Sequence, residues 1–180
     1  MSKNRFRGDY QLIEDADEKG RLRTTYRYKG PVCRFEAPEE KTDLLKKQLP
    51  AAAGAAWGFW ILGMVWLSNA MHFIPAALSY VVSALPLAIF TDCCFSFHNM
   101  KEPLENRHAD RMNNRYPAAC FFLILCSVSG ILGGIAAWLR MGIILPGDLL
   151  YMAGASEILL TGIFAFRQSK SVRIRKEDVS

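Results

Sequence analysis

The chain has 180 residues, a net charge of +5 and 51% hydrophobic side chains, averages that would suit one ordinary soluble domain. Their distribution argues against that: residues 1–50 hold 12 Lys or Arg and 9 Asp or Glu, while residues 51–91 hold no charge at all, a gap that a water-covered surface seldom shows. The basic excess does not indicate nucleic acid, because no basic stripe interleaved with stacking aromatics lies outside the apolar runs; beside those runs it reads as a topology signal and as contact with anionic headgroups.

In chain order, residues 10–13 and 22–28 read as strands flanking the polar turn Asp17-Glu18-Lys19-Gly20, and Lys29-Gly30-Pro31 makes a second turn before a strand at 32–35. Pro38, Glu39 and Glu40 followed by Leu44-Leu45 and Lys46-Lys47 predict a helix lying along the membrane surface. Residues 1–49 are therefore expected to form a cytoplasmic β-meander plus an interfacial helix. Three strands with so few apolar residues are marginal alone, and the alternating Val172-Arg173-Ile174-Arg175 is placed to add a fourth to the same sheet. With its first 50 residues polar, the chain is expected to lack a cleavable signal peptide.

Four runs approach the roughly 20 apolar residues needed to cross a hydrocarbon core: 51–70, 76–97, 117–139 and 147–166. Residues 50–97 thus carry spans one and two, 98–116 a cytoplasmic loop, 117–166 spans three and four, and 167–180 a basic cytoplasmic tail. With both termini inside, the inner segments hold 12, 4 and 5 Lys or Arg and the outer links only Arg140, a strong positive-inside bias that predicts a multi-pass protein of the cell membrane. Trp66 and Trp138 are expected at the outer interface, and Trp57 and Trp60 in a belt on the inner side.

The helix pairs resemble one another. Pro75, Leu78, Tyr80 and Ala84 match Pro146, Leu149, Tyr151 and Ala155 at a constant offset of 71, whereas Pro50-Ala51-Ala52 matches Pro117-Ala118-Ala119 at 67, implying one extra helical turn in the second copy. Both copies run in the same direction, as in a parallel repeat about the membrane normal. The small-residue pairs Gly54/Gly58 and Gly130/Gly134 predict helix-packing faces that join spans one and three. The predicted fold class is an all-α membrane protein, a four-transmembrane-helix bundle with a 2+2 repeat and a small cytoplasmic β appendage.

Glu157 is the residue that calls for a reason, ten positions beyond Gly147 and nine before Phe166. A central acidic residue costs roughly 2.5–3.5 kcal/mol on insertion scales, so it is expected to face the other helices, within reach of Tyr80, Ser83 or the carbonyl that Pro86 frees. It reads equally as a proton, cation or amine site and as a structural hydrogen bond. Asp92 either lines an inner vestibule below it or sits wetted at the interface; these four polar residues, Glu157, Tyr80, Ser83 and Asp92, are the candidate intramembrane site. Asp148 starts the fourth span, where the helix dipole favours it. Asp92-Cys93-Cys94 with His98, and Cys33, His108 and Cys120 in addition, invite a metal reading, but no CxxC pair sets tetrahedral geometry and buried thiols explain the cysteines better. No cofactor is predicted, and no GxSxG, HExxH, P-loop or GxGxxG occurs. The expected function is an accessory or scaffold subunit without catalytic activity of its own, in contact with membrane lipids and assembled as a homo-oligomer or with another membrane protein. The rivals are a small homo-oligomeric transporter using Glu157 and a lipid-headgroup enzyme using Asp92, His98 and His108.

Overall fold

The computed structural model describes residues 10–16, 22–31, 33–101 and 104–176. Strands β1 (Tyr10–Ala16) and β2 (Leu22–Tyr28) form an antiparallel hairpin, with Tyr10 opposite Tyr28 and Ala16 opposite Leu22. The expected turn Asp17-Glu18-Lys19-Gly20 lies outside the described residues. Strand β3 (Cys33–Phe35) does not extend this hairpin; it pairs antiparallel with β4 (Ile174–Lys176), Cys33 opposite Lys176 and Phe35 opposite Ile174. The single sheet expected from the pattern is therefore two separate ladders. Pro31 stands between β2 and β3 with no N–H to carry a ladder onward, and its carbonyl takes the Tyr28 hydroxyl at 3.0 Å. The short β3–β4 ladder is held from the side: Cys33 and Leu104 exchange backbone hydrogen bonds of 3.0 and 3.1 Å, and the Asn113 carboxamide brackets Ile174, donating to its carbonyl at 2.8 Å and accepting from its N–H at 3.0 Å.

Helix α1 runs unbroken over Glu39–Val65 with Pro50 inside it, so the separate surface helix expected before the first span is instead the first turns of that span. One stripe, Thr42, Leu45, Leu49, Ala53 and Ala56, is buried on both sides of Pro50, and packing along it keeps the two segments coaxial. Pro50 cannot donate to the carbonyl of Lys46 four residues back; His98 Nδ1 lies 2.8 Å from that oxygen and takes the vacant donor's place.

A short α2 (Asn69–His72) leads to α3 (Ile74–Val82) and α4 (Ala84–Asn99), one long stretch interrupted at Ser83. Then α5 (Asn106–Asp110), a π turn (Arg111–Arg115) and α6 (Tyr116–Met141) run on without a break, and α7 is Pro146–Gln168. The π turn precedes Pro117, whose missing N–H leaves the carbonyl of Asn113 unserved and lets the ladder slip by one residue. Among the described residues, four helical stretches are long and apolar enough to cross a membrane: Glu39–Val65, Ile74–Asn99, Asn106–Met141 and Pro146–Gln168. Leu78, Leu85, Leu125, Leu132 and Leu160 are exposed on their outer faces.

Helix α1 packs on α7 and α4, and α6 packs on α7, α3 and α4. Spans one and three therefore stand diagonally opposed and do not form the glycine-lined interface expected of them. Gly54 and Gly58 lie on the side of α1 opposite its buried stripe, where an added Cβ meets nothing within 4 Å. Gly130 and Gly134 are buried, but against Tyr151 of α7 rather than α1.

Candidate functional site

The centre of the bundle is organised by the interruption in its second span. Pro86 has no N–H for the carbonyl of Val82, and the helix breaks at Ser83. The Tyr80 carbonyl beside the break receives two side-chain donors, Ser83 Oγ at 2.6 Å and Trp60 Nε1 at 3.0 Å. Around it the aromatic rings form a chain. Trp57 meets Trp60 edge-on at 5.5 Å, Trp60 stacks on Tyr80 at 6.1 Å and 5°, and Tyr80 lies 4.7 Å from Tyr151 at 34°. Trp57 Nε1 donates to Thr91 Oγ1 at 2.9 Å. Both indoles of α1 thus serve partners in α3 and α4; indole N–H groups in an apolar setting need an acceptor, and the broken helix supplies acceptors.

Tyr80 and Tyr151 have equivalent surroundings. Tyr80 Oη donates toward the carbonyls of Phe59 and Trp60 at 3.3 and 3.2 Å, and Tyr151 Oη toward those of Gly130 and Ala76 at 3.0 and 3.1 Å. Each reaches the carbonyl 21 residues upstream. Each also needs a glycine beside it. A Cβ on Gly63 would overlap Tyr80 Oη, and one on Gly134 would stand 3.0 Å from Tyr151 Cε1 and 2.9 Å from Met152 Sδ. Gly63 and Gly134 are 71 apart, like the tyrosines, and so are the buried pairs Leu49/Cys120, Ala56/Ser127 and Leu87/Ile158. The pair Pro50 and Pro117, 67 apart, shows no such match. Those prolines occupy different settings, one inside α1 with its lost hydrogen bond served by His98, the other just after the π turn.

The four polar residues singled out from the sequence are not joined. Glu157 is half-buried on α7 and accepts from Thr161 Oγ1, one turn on, at 3.4 Å. The hydroxyls of Tyr80 and Ser83, expected to meet it, are engaged with main-chain carbonyls instead. Asp92 is exposed on α4 and forms an ion pair of 3.6 Å with Arg111 of the π turn, which also donates to Ser96 Oγ. Cys93, Cys94 and Cys120 are buried free thiols, Cys33 is buried as well, and no group of three His, Cys, Asp or Glu suited to a metal occurs among the described residues.

Sequence reasoning gave Asp148 only a dipole role and missed what it holds together. Its carboxylate is fully buried and accepts from Ser68 Oγ at 2.7 Å and Ala70 N at 3.2 Å on one oxygen, and from Leu145 N at 2.8 Å and Asn69 Nδ2 at 3.0 Å on the other. Asn69 Nδ2 also donates to the carbonyl of Ile143 at 2.8 Å. Gly147 lets α7 approach so closely that a Cβ there would overlap the Leu67 carbonyl. The link after span one is thereby latched to the start of span four. The signal was the polar pair Ser68-Asn69 in an otherwise apolar link, but nothing local connects it to an aspartate about 80 residues away.

Fold and site together define a class: a helical bundle with four helices long and apolar enough to span a membrane and an interior filled by tyrosines bonded to main chain. Comparison with family models, with curated proteins and with solved structures found no match.

Proposed function

We propose that this chain is a multi-pass protein of the cell membrane that serves as an accessory or scaffold subunit of a larger membrane assembly. The observation that carries this reading is the outer face of α1. Ala51, Gly54, Ala55 and Gly58 are exposed on one side of the helix, with open space beyond both glycines. In lipid, helices associate by close backbone approach over such small residues. The close, buried Tyr80–Tyr151 pair between α3 and α7 supports a packing role over passage through one copy. The charge bias supports a topology with both termini on the cytoplasmic side, in which a cysteine introduced at Met71 should label from outside intact cells. The matched tyrosines and glycines support a 2+2 repeat with a constant spacing of 71.

The test is copurification from native membranes. Wild type should bring down a second copy or another membrane protein in fixed ratio. Gly54→Leu and Gly58→Leu should lose it while unfolding in detergent no lower than the wild-type temperature; a chain that stays monomeric and alone contradicts the proposal. A second reading, a homo-oligomeric carrier, is favoured by Glu157, half-buried with a single 3.4 Å hydrogen bond. It requires that Glu157→Gln abolish ion flux in liposomes without unfolding the protein.

A further inference from the structure

A groove of about 350 Å³ opens between β3 and the first turns of α1, lined among others by Arg34, Phe35, Glu39, Thr42, Asp43 and Lys46. Glu39, Asp43 and Lys46 recur at helical spacing and share a face of α1. Lys46 Nζ lies 5.6 Å from the centroid of the Phe35 ring and 3.4 Å from Asp43 Oδ1. Its side chain is 23% exposed against 60% for Asp43, so the cation is the deeper group and the carboxylate stands at the rim.

The charges lining this groove, among the described residues, are two of each sign: Arg34 and Lys46, Glu39 and Asp43. An anion alone would meet two carboxylates and a cation alone two bases; a ligand carrying both charges suits all four. Their order along α1 is equally specific. Lys46 stands two residues before Gln48, where the charge-free run begins, and Asp43 and Glu39 lie about 4.5 and 10 Å farther from it at 1.5 Å per residue. Phosphate next to the apolar boundary and ammonium beyond it is the order of groups in a zwitterionic phospholipid. Asp43 and Glu39 can accept from a primary ammonium, while the one aromatic ring present already carries Lys46, so nothing here forms a cage for a quaternary amine.

We propose that this groove binds the headgroup of an ethanolamine phospholipid, its phosphate on Lys46 and Arg34 and its ammonium on Asp43 and Glu39. The inference rests on the membrane reading above and is independent of the scaffold role. The test uses the full chain reconstituted in vesicles of equimolar phosphatidylethanolamine and phosphatidylglycerol, re-extracted, with retained lipid identified by mass. Failure to float with the vesicles overturns the membrane reading and this proposal with it. If the protein floats, the ethanolamine lipid should be enriched over the glycerol lipid, and Lys46→Gln and Asp43→Asn should each cut that enrichment about tenfold, the size expected for a lost charge-assisted contact. Equal retention of both lipids, or enrichment unchanged in both variants, overturns the groove alone. Soluble glycerophosphoethanolamine added during extraction should displace the lipid; retention undiminished by it would place recognition on the acyl chains and also overturn the proposal.

Discussion

His98 Nδ1 lies 2.8 Å from the carbonyl oxygen of Lys46, the acceptor left without a helical donor by Pro50. A side chain of α4 thus completes the ladder of α1 and lets a proline sit inside a continuous helix. His98→Ala should destabilise the protein by about 1 kcal/mol, the net worth of one hydrogen bond. In a Pro50→Ala background the restored N–H serves the same carbonyl, so the second loss should shrink to near zero. A double-mutant cycle by thermal unfolding in detergent measures this; additive effects would mean that the two residues act separately.

Gly63→Ala and Gly134→Ala should each cost about 1–3 kcal/mol, because their Cβ atoms would enter space held by Tyr80 and Tyr151. Gly54→Ala and Gly58→Ala meet nothing within 4 Å and should stabilise the isolated chain by up to about 1 kcal/mol through helix propensity. The four unfolding temperatures should therefore fall into two groups; a loss of isolated-chain stability at Gly54 would refute its outward placement.

Asp148→Ala removes an acceptor shared by four buried or half-buried donors and should cost about 3 kcal/mol, since Ser68 Oγ and Leu145 N lose their partner while Asn69 Nδ2 and Ala70 N keep the Ile143 carbonyl and Ser68 Oγ. Asp148→Asn keeps acceptor capacity on one oxygen and should cost less. Protease sensitivity should rise first in the link around Asn69, where the latch holds the chain.

Asn113→Ala should leave the bundle folded and release the tail. The N–H of Ile174 donates to Asn113 Oδ1, so its hydrogen exchange should accelerate at least tenfold while amides within α6 keep their protection. Unchanged exchange at Ile174 would mean that the β3–β4 ladder holds without this bracket.

The four apolar helices were legible because solvent imposes their composition, and a run such as 76–97 has few other stable forms. Tyr80 and Tyr151 stood out in the sequence by their shared spacing from Pro75 and Pro146, and each hydroxyl does reach the carbonyl 21 residues upstream. What failed involved partners remote in sequence. Pro50 reads as a boundary until His98 is beside it, and Asp148 reads as a dipole effect until Ser68 and Asn69 reach it; the partners of Trp57 and Trp60, Thr91 and the carbonyl of Tyr80, were equally out of view. Glu157 was expected to recruit hydroxyls that backbone carbonyls had already claimed, because a helix break supplies acceptors that composition does not display.

The pairing of β3 with β4 also fixes an order of events during synthesis. Cys33 emerges early, yet its ladder partner Lys176 follows the last residue of α7. At about 5–20 residues per second β3 waits on the order of ten seconds for β4, while every helix of the bundle is made. Closure of this ladder therefore comes last: β3 and β4 can pair only on a chain whose fourth long helix has already been made. A chain truncated before α7 would display the open edge of Cys33–Phe35 to whatever machinery monitors unfinished membrane proteins.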